Sequence, residues 1–197
     1  TVNEMMADGW PASAKLAVAA TILIILLGLP MGIIAALNRN KLPDRASMVI
    51  STIGVVIPSF VLATFLLYFF SVKTELLPTF GVESWQGYIL PALCLAVGPV
   101  CAIARLSRSS MLDTLNQDYM RTAESKGLSR SRIIFGHGLR NSLIPVVTSL
   151  GMTFAALLTG TFVIEKIFAV PGLGRYFVQS ITNRDYTAVM ALTILTS

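Results

Sequence analysis

Four apolar runs without a charged residue dominate this chain, and each is long enough to cross a lipid bilayer. They cover residues 16–37, 46–72, 84–104 and 141–164, and a shorter run at 186–197 begins another. About 20 apolar residues span the hydrocarbon core as a helix, because lipid cannot satisfy the hydrogen-bonding groups of an irregular backbone. The sequence therefore predicts an all-α polytopic membrane protein. It has a single domain over 1–197, with four complete spans and part of the last.

The composition supports a membrane protein over a soluble one. Only 13% of the residues are charged and 54% are hydrophobic, whereas soluble domains carry about 25% charged residues. The formal net charge of +5 raises nucleic acid as a partner. The basic residues, however, lie beside the apolar spans, where membrane topology places them. We therefore expect a lipid environment and no nucleic acid.

The charges of the loops predict which side of the membrane each loop faces. Residues 38–45 hold three basic side chains against one acidic, and residues 105–140 hold seven against three. The remaining loops carry little or no positive excess. By the positive-inside rule, 38–45 and 105–140 face the cytoplasm. Residues 1–15, 72–83 and 165–185 then face outside.

Glycine and proline interrupt two of the spans. Gly28, Pro30 and Gly32 lie in the first span, and Pro58 lies in the second. Proline removes a backbone donor and bends a helix. Small residues also let neighbouring helices approach closely. Both close packing and a gating hinge remain open from the sequence.

The cytoplasmic segment 105–140, called the coupling loop below, reads as helices. Leu112, Leu115 and Tyr119 continue the helical spacing of the third span. A short helix follows at 121–126, and Gly127 stands where a helix ends. Ser129 is a candidate N-cap for a second helix, before Asn141 and Pro145 open the next span. Such a loop either lies on anionic headgroups or docks a cytoplasmic protein.

Nothing in the sequence indicates an enzyme. A Gly-x-x-x-x-Gly-Lys-Ser/Thr phosphate loop is missing, as are the His-Glu-x-x-His and Gly-x-Ser-x-Gly patterns. One histidine and two distant cysteines do not make a metal site. We therefore expect no catalytic residue, no metal and no cofactor in this chain. An ion-coupled carrier or channel stays open as an alternative, although charge-free spans disfavour it.

Two blocks of sequence resemble the membrane permease subunits of ABC importers. The first lies in the coupling loop and resembles the "EAA" loop of the oligopeptide, dipeptide and nickel branch, with Arg-Thr-Ala in place of Glu-Ala-Ala. Its matching residues are Arg121, Thr122, Ala123, Lys126, Gly127, Leu128, His137, Arg140, Asn141 and Pro145. The second resembles the outer loop of the "B-type" subunit. Its residues are Glu165, Phe168, Pro171, Gly172, Gly174, Arg184, Asp185 and Tyr186.

The resemblance implies the type I ABC importer fold, with about six membrane helices in a full chain and this sequence as an internal fragment. It also implies a second permease, two cytoplasmic ATPases that bind ATP and Mg, and an extracytoplasmic binding protein. The expected location is the bacterial plasma membrane, which is the inner membrane in a two-membrane cell. The cargo would be oligopeptides or dipeptides, with nickel or glutathione as alternatives. The substrate-binding residues stay unassigned.

The resemblance also implies roles for particular residues. The helix near Arg121 would sit in a groove of the ATPase, and the small Ala123 would allow close contact. Gly127 would set the turn between the two helices. Arg140 and Asn141 would tie the coupling loop to the next span, unless Asn141 is a simple N-cap. The outer loop would lie on the membrane or fold inward towards the binding protein.

Overall fold

The protein is helical throughout the part that is described. A computed structural model describes residues 2–159 and 162–196, and within them it contains helices and turns but no strand. The α-helices are α1 (Val2–Leu23), α2 (Leu29–Leu37), α3 (Leu42–Val56), α4 (Ser59–Leu67), α5 (Ile89–Leu115), α6 (Asp118–Ser125), α7 (Leu139–Leu158), α8 (Phe162–Ile167), α9 (Leu173–Thr182) and α10 (Tyr186–Thr196). The predicted all-α class is confirmed.

Four short helical segments of other types lie among the described residues. The π-helical segment Ile24–Gly28 joins α1 to α2. A second π-helical segment, Arg132–Gly138, leads from the second helix of the coupling loop into α7. Tyr68–Lys73 is also π-helical and extends α4, and Trp85–Tyr88 is a 3₁₀ turn before α5. The first π segment has a local cause. Pro30 offers no N–H to the preceding turn, so the ladder widens there.

Among the described residues, three helical stretches are long and apolar enough to cross a membrane. They are Glu4–Leu37, Trp85–Leu115 and Arg132–Leu158. A fourth forms if Leu42–Val56 and Ser59–Lys73 count as one broken span. The break falls at the predicted position, Pro58, whose backbone is extended with ψ of 135°. The carbonyl of Pro58 accepts the N–H groups of Val61 and Leu62 and so forms the first hydrogen bonds of α4. Many large apolar side chains on these helices are exposed, as lipid contact requires.

The ends of the predicted spans differ from the structure in two places. Residues 2–15, expected as an outer segment before the first span, already belong to α1. The predicted fourth span at 141–164 ends earlier, at Leu158, and α8 is a separate helix. Residues 160–161, which lay inside that predicted span, are outside the described residues, as are Thr1 and Ser197.

The chain divides into two compact units. The first combines residues 1–23, 57–97 and 153–197, and it contains the outer loop. The second combines 24–56 and 98–152, and it contains the coupling loop. Within the second unit, Gly32 packs on α5. A β-carbon added to Gly32 would lie only 2.6 Å from the β-carbon of Ser107. Close packing therefore accounts for this glycine.

Candidate functional site

The short helix of the coupling loop ends in a Schellman motif, as the sequence predicts at Gly127. This glycine has a φ of +73°. Its N–H donates to the carbonyl of Glu124 at 2.9 Å, and the N–H of Leu128 donates to that of Ala123 at 3.4 Å. These are the two bonds that define the motif. Nothing lies within 4 Å of a β-carbon built on Gly127, so the backbone conformation alone selects glycine.

A small apolar cluster holds α6 against the rest of the loop. Met120, Ala123 and Ile133 are buried together, and Leu115 and Leu128 pack on them. Ala123 thus faces its own chain, with 8% exposure. Its small size serves this packing, and Ala123 also borders a groove on the exposed side; the close contact with an ATPase that the resemblance implies stays a prediction. The cluster fixes α6 on the end of α5 and on the helix that follows.

The second helix of the loop is continuous with the next span. It begins at Arg130, directly after Ser129, and runs through Arg132–Gly138 into α7. The expectation that Asn141 and Pro145 open this helix is therefore wrong, because both lie inside it. Asn141 is not an N-cap. Its side-chain amide donates to the hydroxyl of Tyr119 at 2.8 Å, which confirms the predicted tie between the coupling loop and the span.

The outward face of α6 is polar and carries both charges, since Arg121 and the following Lys126 are exposed together with Asp118 and Glu124. Thr122, His137 and Arg140 are exposed as well. A shallow groove of about 290 Å³ runs along this face. Its lining consists of Tyr119, Thr122, Ala123, Lys126, Leu128 and His137. An exposed face with charges of both signs beside a groove suits a polar protein surface with complementary charges.

The outer loop is built around the buried carboxylate of Glu165, one of the residues that the resemblance singled out. This residue is 1% exposed. The hydroxyl of Ser13, in α1, donates to its Oε1 at 2.8 Å, and the N–H of Gly174 donates to its Oε2 at 2.8 Å. The N–H of Leu173 in turn donates to the Ser13 hydroxyl at 2.9 Å. Glu165 therefore caps the N-terminus of α9 from another helix and fixes it on α1.

Two glycines of the outer loop allow the backbone to approach this carboxylate. A β-carbon on Gly172 would lie 2.5 Å from both Glu165 Cδ and Ser13 Oγ. A β-carbon on Gly174 would lie 2.5 Å from the Cα of Phe162. The Pro-Gly-Leu-Gly sequence is thus a close-packing element. Burial raises the pKa of Glu165 above its usual range, although the hydrogen bonds from Ser13 and Gly174 favour the ionised form.

The other predicted residues of the outer loop form the turns around its helices. Phe168 is buried, and Pro171 is exposed. Arg184 adopts a φ of +56° at the end of α9, and Asp185 caps α10 by accepting the N–H of Ala188 at 3.1 Å. Tyr186 is 73% exposed. Sequence reasoning missed Ser13, because a serine between two alanines carries no motif.

Apolar helices of spanning length, joined by a folded and partly exposed loop, define a multi-pass membrane domain. Residues 28–197 match the model of the family described as "Binding-protein-dependent transport system inner membrane component". The chain belongs to this family.

Known relatives and solved structures agree with this assignment. The chain is 49% identical to the dipeptide transport system permease protein DppB of Bacillus subtilis over its whole length. It is 46% identical to the glutathione transport system permease protein GsiC of Escherichia coli K12 over 196 residues, again its full length. In both cases it spans 64% of the relative.

The fold is shared with structures of much lower identity. One is an inward-facing MetNI methionine ABC transporter, with a TM-score of 0.74, 19% identity, and coverage of 98% of this chain and 89% of the other. Another is an amino acid ABC transporter, with a TM-score of 0.77, 16% identity, and coverage of 98% and 86%. The expected importer fold is confirmed.

Proposed function

We propose that this chain forms most of a permease subunit of an ATP-driven ABC importer that carries short peptides across the bacterial inner membrane. Dipeptides are the first candidate substrate, because the dipeptide permease is 49% identical. Glutathione, itself a tripeptide, is the second, because permeases for it are 44–46% identical. The observation that carries the transport role is the coupling loop, a folded surface fixed to two membrane helices.

ATP hydrolysis belongs to separate subunits in this proposal. The sequence holds no phosphate loop, so the energy must enter through a contact with another protein. The exposed face of α6 provides that contact. An ATPase that closes on ATP would move α6, and the buried cluster around Met120 would carry the movement into α5 and α7.

The outer loop is the proposed contact for a substrate-binding protein, and the pathway is completed by a second permease. Tyr186, Arg175 and Lys166 are exposed along this loop. The Glu165 carboxylate holds the helix beneath them in place. A surface that is both exposed and rigid is what a docking partner needs.

A pulldown of the full-length protein from native membranes tests the proposal. The complex is then reconstituted in lipid, and its ATPase activity is measured with dipeptide, glutathione or nickel, with and without the binding protein. We expect two ATPases and a second permease to co-purify, with hydrolysis stimulated by dipeptide or glutathione. Stimulation by nickel alone would replace the substrate class. Recovery of this chain without ATPases, with ion-dependent transport, would establish a carrier or channel instead.

A further inference from the structure

One ion pair joins the first residues of the coupling loop to the loop at 38–45, and the site described above does not include it. Arg108, on α5, donates through Nε to Oδ1 of Asp44 and through Nη2 to Oδ2 at 2.8 Å. Asp44 is 3% exposed, and the side chain of Arg108 is 24% exposed. Two parallel bonds between a guanidinium and a carboxylate fix direction as well as distance. The pair therefore ties the first turn of α3 to α5.

The same carboxylate also fixes the turn between α2 and α3. The N–H of Asn40 donates to Asp44 Oδ2 at 2.8 Å. Asn40 has a φ of +64°, a conformation that asparagine tolerates better than most residues. Directly before Arg108 on α5, Ser107 is packed against Gly32 of α2. The end of α5 is thus joined to α2, to α3 and to the turn between them.

The next residues of α5 hold the coupling loop. The hydroxyl of Ser110 donates to the carbonyl of Ser142, on α7, at 2.7 Å. Met111 is fully buried. Its methyl group faces Gly138 and would lie 3.3 Å from a β-carbon added there. Within four residues, α5 therefore contacts α3 and the turn before it through Arg108, α7 through Ser110, and Gly138 of the coupling loop through Met111.

We propose that Asp44 and Arg108 are positioning residues that transmit the movement of the coupling loop to α2 and α3. This inference rests on the proposed importer function. A rigid contact is required because a loose one would absorb a displacement of α6 before it reached the first two helices. The charged pair meets that need, since its geometry is bidentate and one partner is buried.

The transport test uses four forms of the full complex in lipid: wild type, Asp44→Asn, Arg108→Gln and the double variant. The measured quantity is peptide transported per ATP hydrolysed. We expect each single substitution to lower this ratio by about fivefold or more, and the double variant to be no worse than either single one. Arg105→Gln is the matched control, because Arg105 is exposed on the same helix. A purely structural role would lower the yield of complex and leave the ratio unchanged.

A second readout does not depend on the substrate. A cysteine at Leu42, which is 80% exposed, is labelled with a water-soluble maleimide in nucleotide-free and ATP-trapped complexes. The two native cysteines are buried. We expect the labelling rate to depend on nucleotide in the wild type and in Arg105→Gln, and this dependence to disappear in Asp44→Asn.

The outcomes separate this inference from the proposed function. Nucleotide-dependent labelling without peptide transport would overturn the peptide substrate; the role of the pair is then supported if Asp44→Asn abolishes the dependence on nucleotide and overturned if it does not. Unchanged ratios and unchanged labelling in both single variants would overturn the role of the pair. Labelling that is independent of nucleotide in the wild type would overturn it as well, because no movement would reach α3.

Discussion

Substitutions of Gly127 test whether coupling depends on the backbone conformation of the coupling loop or on its charge. The structure leaves open space around this residue, so a side chain meets no steric clash and the cost comes from the positive φ. A residue with a β-carbon pays about 1–2 kcal/mol in this conformation, and a β-branched residue pays more. Since 1.4 kcal/mol is a factor of about ten, Gly127→Val weakens the ordered end of α6 by at least that factor.

Three variants of the reconstituted complex make the comparison. Gly127→Asn is the control, because asparagine tolerates this conformation and adds no charge. Gly127→Asp has nearly the same shape and adds a negative charge to the exposed end of α6, close in sequence to Glu124. We expect Gly127→Val and Gly127→Asp to lower the peptide transported per ATP, and Gly127→Asn to stay close to the wild type. The assay measures transport and hydrolysis in the same vesicles.

Two results would refute this reasoning. If Gly127→Asn uncouples as strongly as Gly127→Val, then the loss comes from bulk at the docking surface and not from the conformation of the turn. If all three variants assemble with the ATPases and transport normally, then the end of α6 has no part in coupling.

Three further predictions concern the described contacts. Gly172→Ala should lower the free energy of unfolding by about 1–3 kcal/mol, because the new methyl group meets the Glu165 carboxylate. Gly151→Ala is the control and should not lower it, because a β-carbon on Gly151 lies in open space. Thermal melts in detergent measure both variants. Asn141→Ala and Tyr119→Phe should each cost about 0.5–1.5 kcal/mol, and the double variant should add nothing, since they remove one shared hydrogen bond; additive losses in the melts would contradict this. The pKa of Glu165 is raised, so burial of this side chain costs least when its carboxyl group is protonated. The stability that Glu165 contributes is therefore fully present below the ordinary pKa of about 4.3. This stability is lost as the pH rises through the raised pKa of the folded protein. Glu165→Gln should flatten that part of the stability–pH curve, and an unchanged curve would show that Glu165 does not titrate there.

The sequence allowed the local features of the coupling loop to be predicted, because their causes are local. Gly127 ends α6 since only glycine adopts its conformation at little cost. The tie at Asn141 was expected, but Tyr119 was wrongly placed on the continuing third span, because α5 ends at Leu115 and Tyr119 lies in α6. The continuity of the helix from Arg130 into α7 was not expected, because asparagine and proline are signals that also begin helices. The π segment Arg132–Gly138 joins the two parts without a break.

Contacts between distant parts of the chain were beyond sequence reasoning. Ser13 and Glu165 are separated by 152 residues, and Asp44 and Arg108 by 64. Neither pair follows a local spacing, so Asp44 and Arg108 were counted only as loop charges. The early start of α1 was missed for another reason. Glu4, Asp8 and Lys15 make that segment resemble a polar loop, although a helix can extend beyond the lipid.

The most direct test of the central claim is a photo-crosslink from α6 in cells that hold the complete complex. A benzophenone amino acid replaces Thr122, which is exposed on α6, and Tyr186 of the outer loop serves as the control position. We predict that the probe at 122 forms an adduct with a protein that mass spectrometry identifies as an ATPase with a phosphate loop, and that the probe at 186 does not. Adducts at 122 with lipid alone, in cells that still transport peptide, would contradict the account.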